Sequence, residues 1–74
     1  MQTDSSMQVP IGQIIREELR SQGKTNHWLA TQIHVNLRTV NKIFLKDTID
    51  THQLFLLSKA LEVDFFKYFS DALI

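Results

Sequence analysis

NHWLATQIHVNLRTVNKIFL, residues 26–45, governs how the rest of the chain is read. Each half carries apolar residues at helical spacing: Trp28, Leu29, Ala30 and Ile33 in the first, Val40, Ile43 and Phe44 in the second. His34-Val35-Asn36 between them leaves no room for an independent loop, and Asn36 is a favourable cap for the second helix. Ala30, Val35, Val40 and Ile43 are small or branched, as interlocking at a steep crossing requires. Two short helices joined in this way form a helix-turn-helix pattern. Steps of about 100° per residue place Val40 and Ile43 on the buried side of the second helix. Arg38 and Leu45 then lie opposite, flanked by Asn41 and Lys42, with Phe44 on the shoulder and Leu37 on the first turn.

Upstream, Ile11, Ile14, Ile15 and Leu19 share a stripe that predicts a first helix over 11–22, with Arg16, Glu17 and Arg20 off it. Gly23 is the expected left-handed stop, and Thr25 the cap of a second helix over 26–33. Residues 1–10 have no period and read as a flexible arm ending at Pro10, with Met7 and Val9 placed to fold back on the core. Residues 11–74 form the domain. The third helix is expected from Leu37 to about Lys46. Downstream, Asp50 and Gln53 stand at capping-box spacing and open a fourth helix. Its core stripe is Leu54, Leu57, Ala60 and Leu61, widened by Phe55 and Leu56. Glu62-Val63 turns the chain, and Asp64 caps a last helix, FFKYFSDALI. The expectation is an all-α domain of five short helices without strands.

Composition narrows the possibilities. Seventy-four residues, 43% hydrophobic, with one Pro and two Gly, suit one small ordered domain. The chain has no Cys, which removes disulfides and thiolate metal sites. No apolar run approaches the ~20 residues of a membrane span. Residues 1–10 lack the layout of a signal peptide, so the expected location is the cytoplasm, with no membrane partner. The formal net charge is zero, but it is unevenly spread. Residues 11–46 hold six cations against two anions, leaving +4, whereas residues 47–74 hold two against five. A neutral total therefore accommodates a basic face and an acidic pole.

An outward face of Arg38, Asn41 and Lys42 on a helix narrow enough for a major groove suits direct readout of bases. Arg pairs with guanine, Asn with adenine, Lys with guanine or phosphate, and Leu37 can touch a thymine methyl. Asn26, Asn36, Thr39 and Lys46 are the candidate phosphate contacts, with Lys24 and Arg16 extending the basic footprint. Asn36 is also claimed by capping. The same side chains on a surface helix without a partner would simply be solvated. His27, His34 and His52 have no second ligand at suitable spacing, and Ser58 has no glycine-rich turn to expose it. Neither an enzyme, a metal site nor a cofactor is expected.

The order of these signals resembles the Cro and phage-repressor-like domains of the Xre family of bacterial regulators. The pattern spans about residues 11–69. It comprises an early Gly (Ile11-Gly12), a Leu-Ala pair (Leu29-Ala30), and Val35 after the turn. Val40 and Ile43 follow in the recognition helix, and a fourth helix closes on Ala60-Leu61. The resemblance implies a compact five-helix, lambda-repressor-like fold. It implies double-stranded DNA as partner, commonly a palindromic operator bound by a homodimer, and a role in transcription regulation, as a repressor or activator. His34 stands where the family usually has Gly, which demands a left-handed backbone at a His. Asn26 replaces a phosphate-bonding Gln; Phe44 replaces Glu, and Trp28 an exposed polar residue. Those aromatics, with the apolar tail, support a second reading: an antitoxin-like or adaptor module holding a toxin-like or other protein partner. The apolar tail is also where a dimer contact is expected.

Overall fold

The first helix sets the frame. In a computed structural model that describes residues 9–73, α1 spans Ile11–Ser21. Four more helices follow: α2 Asn26–Gln32, α3 Leu37–Ile43, α4 Thr51–Leu61 and α5 Lys67–Ala72. No strand occurs among the described residues, so the chain is all-α as expected. The first eight residues of the expected arm, Met7 among them, lie outside the described residues. Pro10 is the N-cap of α1, and Val9 packs against the core.

One core joins all the elements. Ile11, Ile15 and Leu19 from α1 meet Leu29, Ala30 and Ile33 around α2, and Val40 and Ile43 from α3. Leu54, Leu57 and Leu61 of α4 and Phe65 complete it. Removal of this apolar surface from water is the main stabilising term. The fourth-helix stripe is narrower than the sequence suggests, since Phe55 remains 51% exposed.

Helix starts follow local chemistry. Thr25, Asn36 and Asp50 accept at their side-chain oxygens from the backbone N–H of Trp28, Thr39 and Gln53. Each thereby satisfies an otherwise orphaned donor. Helix ends follow a common geometry as well. Gly23, His34 and Glu62 all have positive φ, of 70°, 60° and 57°. The N–H that follows each reaches five residues back: Lys24 to Leu19, Val35 to Ala30, and Val63 to Ser58. This closes the last turn in the Schellman manner. The left-handed conformation demanded of His34 by the turn is present.

The first two helices end one residue before their expected limits, at Ser21 and Gln32, and two boundaries differ by more. The third helix ends at Ile43 rather than near Lys46. Leu45 and Lys46 close tighter turns onto Lys42 and Ile43, and the Lys46 carbonyl accepts from Gly12 N–H at 3.0 Å. That bond satisfies a first-turn donor of α1 with the segment leaving α3, and pulls the chain out of the helix. The last helix begins at Lys67 instead of Phe65. Asp64 Oδ1 accepts from Phe66 N–H, closing a turn ahead of the helix, while Phe65 is drawn into the core.

Gly12 has a steric role at this joint. A methyl there would come within 2.7 Å of the carbonyl oxygens of Phe44 and Lys46, and closer still to that of Ile43. Only a hydrogen lets α1 sit this near the end of α3.

Candidate functional site

Val40 and Ile43 are buried and hold one side of α3 against the core. With that side fixed, Arg38, Asn41 and Lys42 are exposed together on the outer side. Leu37 opens the helix at 44% exposure. The four residues proposed for base contacts thus share one short, accessible element. Leu45, expected opposite the buried side, is 85% exposed but lies beyond the helix.

The four phosphate candidates are less uniform. Asn26, at the first turn of α2, donates from Nδ2 to Asn41 Oδ1 at 3.2 Å. One candidate of each kind is therefore in contact, and the amide of Asn41 is oriented by its neighbour. Asn36 and Thr39 bond each other: the Thr39 N–H and hydroxyl both donate to Asn36 Oδ1, at 2.8 and 3.0 Å. That oxygen serves as a cap, and the half-buried Thr39 hydroxyl has given its proton to it. Lys46 sits outside α3 on the connection to α4. Its side chain is exposed while its carbonyl serves Gly12.

Beside this face is a hollow of about 280 Å³, lined by Arg16, Arg20, Asn26, Asn41, Phe44 and Leu45. Arg20 is not among the contact residues expected from the sequence, although its spacing from Arg16, four residues along one helix, is a signal for it. What the linear pattern does not reveal is that the same side of α1 lies next to α2 and α3.

Trp28 is not the exposed aromatic that the sequence suggests. It is half-buried against the core, and the Lys24 ammonium lies 4.6 Å from its ring centroid. A cation over an indole face is a favourable contact that also shields the ring. Lys24 is thereby engaged at the Trp28 ring. Phe44 is likewise half-buried on the core.

Apolar surface collects elsewhere, in a hollow of about 640 Å³ bordered by Val9, Phe66, Phe69, Ala72 and Leu73. Leu73 is 86% exposed there. Among the described residues, no three His, Asp or Glu side chains group as metal ligands. Among the same residues, no helix is long and apolar enough to cross a membrane. No family model, curated protein or solved structure matches the chain.

Proposed function

We propose that this protein is a sequence-specific DNA-binding regulator that lays α3 in the major groove, in the manner of an Xre-type helix-turn-helix domain. The observation that carries this reading is the outer side of α3. Arg38, Asn41 and Lys42 are exposed on it together, while Val40 and Ile43 anchor the other side. A docked short helix with exposed donors can bring side chains to base edges without losing its place on the core. Arg38 and Lys42 give the face positive charge, and Arg16 and Arg20 extend it onto α1. The net charge of zero does not oppose the reading, because docking responds to the local field. In this reading the protein acts in the cytoplasm without an enzymatic step or cofactor.

Selection from random duplexes with the full chain tests it, followed by binding measured on the selected sequence over a salt series. The expected result is one enriched motif and an affinity that falls steeply with salt. Arg38→Ala should cost about 1–3 kcal/mol on the selected duplex and relax one base position. Retention of both affinity and preference in Arg38→Ala and Asn41→Ala would show that the assigned face is wrong.

A second reading, an antitoxin-like or adaptor module, is favoured by the apolar hollow around Phe66, Phe69 and Leu73. The same surface suits a two-fold partner that would set two α3 helices about 34 Å apart along DNA. A defined second protein bound in the absence of any salt-sensitive DNA affinity would favour the adaptor reading.

A further inference from the structure

We propose that the hollow between the α2–α3 turn and α4 is a binding site for a small aromatic carboxylate. Lys59 pairs with the carboxylate there, and Phe55 lies against the ring. The site is separate from the proposed reading face, since none of Leu37, Arg38, Asn41 and Lys42 lines it.

Two residues that the reading face does not use meet at this place. Phe55 belongs to the apolar stripe of α4 by its spacing, yet it remains 51% exposed. His34 holds a φ of 60°, where a glycine would carry no Cβ penalty. The turn uses the backbone of this residue, whose N–H donates to the Thr31 carbonyl at 3.3 Å. What the strained position retains beyond that is an exposed imidazole. His34 and Phe55 line one hollow of about 290 Å³, together with Gln32, Leu56, Lys59 and Ala60. Phe55 and Lys59 stand one turn apart on α4, as do Leu56 and Ala60, so two neighbouring rows form the wall. The Lys59 ammonium lies 5.7 Å from the Phe55 ring centroid, which sets a cation beside an open aromatic surface.

The chemistry of the lining selects the ligand. Lys59, Gln32 and His34 all offer N–H donors, and no carboxylate lines the hollow. An anion therefore meets an opposite charge in the wall, whereas an amine meets a like one. A bare inorganic anion would leave Phe55, Leu56 and Ala60 uncovered. A flat ring covers them and stacks offset on Phe55, while its carboxylate accepts from Lys59. An apolar floor with a few convergent polar groups is the usual composition of a small-molecule site. The limited volume suits one ring or a fused pair.

The experiment follows backbone amide shifts of the isotope-labelled full chain at constant ionic strength. The probes are indoleacetate, indoleacetamide and tryptamine, which share a ring system and are negative, neutral and positive. Indoleacetate should give saturable shifts at Gln32, His34, Phe55 and Lys59. The amide should bind about three- to tenfold more weakly, the range for one charge-assisted contact at an exposed site, and the amine more weakly still. K59Q should lower the acid to the affinity of the amide without changing the amide, and K59R should keep the preference for the acid. F55A should weaken both. His34→Gly removes the imidazole and relaxes the backbone, so it should weaken the acid without lowering the melting temperature. Lys59 and Phe55 are exposed, so K59Q and F55A should melt with the parent. Equal affinities for acid and amide in the parent, or an acid affinity unchanged in K59Q, would overturn the site. Shifts confined to the α5 hollow of Phe66, Phe69 and Leu73 would do the same, as would no saturable shift at millimolar acid. No readout involves DNA, so this site and the DNA-reading function stand or fall separately.

Discussion

A methyl group added at Gly12 would press on the carbonyl oxygens of Ile43, Phe44 and Lys46, none of them the far end of a movable side chain. Backbone cannot yield as a rotamer can, so relief requires α1 and the end of α3 to move apart. That movement would also stretch the Gly12–Lys46 hydrogen bond. Gly12→Ala should therefore destabilise the domain by about 1–3 kcal/mol, the usual range for overpacking. Thermal unfolding followed by circular dichroism measures this, and an unchanged midpoint would contradict the tight joint. The glycine is visible in the sequence as part of a family pattern. Its physical reason is not, because the groups that exclude a side chain lie more than thirty positions away. The Asn26–Asn41 contact was hidden in the same way: both residues stood out as donors, but nothing in their spacing paired them.

Among the elements, helix starts were the most legible, because Thr25, Asn36 and Asp50 act on N–H groups within three residues. Ends set by distant partners were not: α3 stops where its exit segment meets Gly12, and α5 starts late because Phe65 enters the core. Three helices close through a left-handed residue, yet only Gly23 has no side chain to strain there. At Glu62 the strain of an L residue is joined by a negative charge at the negative end of α4. Glu62→Gly should remove both and, after the entropic cost of glycine, stabilise the fold by about 1 kcal/mol. For a domain of this size that corresponds to a rise of about 4–8 °C in melting temperature. Glu62→Val should move it the other way. A midpoint lowered by Glu62→Gly would mean that the carboxylate makes a stabilising contact that outweighs the strain.

For the molecule as a whole, the basic hollow and the apolar hollow border different helices. Arg16 and Arg20 of α1 line the hollow that also takes in Asn41 of α3, whereas Phe66, Phe69 and Leu73 gather around α5. The division was partly legible as a charge difference between the two parts of the sequence. The aromatic residues were harder to place, since one-dimensional spacing does not separate Phe65, which is buried, from its neighbour Phe66, which is exposed. If the α5 surface joins two copies, light scattering after size exclusion should give twice the chain mass for the parent. Leu73→Glu should return the single-chain mass with unchanged helicity, because Leu73 is already exposed to solvent within one chain. Equal masses for the two would remove the dimer contact from this surface. The joint at Gly12 also offers a way to watch the molecule open. An amide in the first turn of a helix ordinarily exchanges its hydrogen with solvent quickly, having no acceptor within its own helix. Gly12 instead borrows the Lys46 carbonyl, so its exchange should be slowed for as long as the segment leaving α3 stays against α1. One backbone signal can thus report the undocking of α3 separately from unfolding of the whole chain.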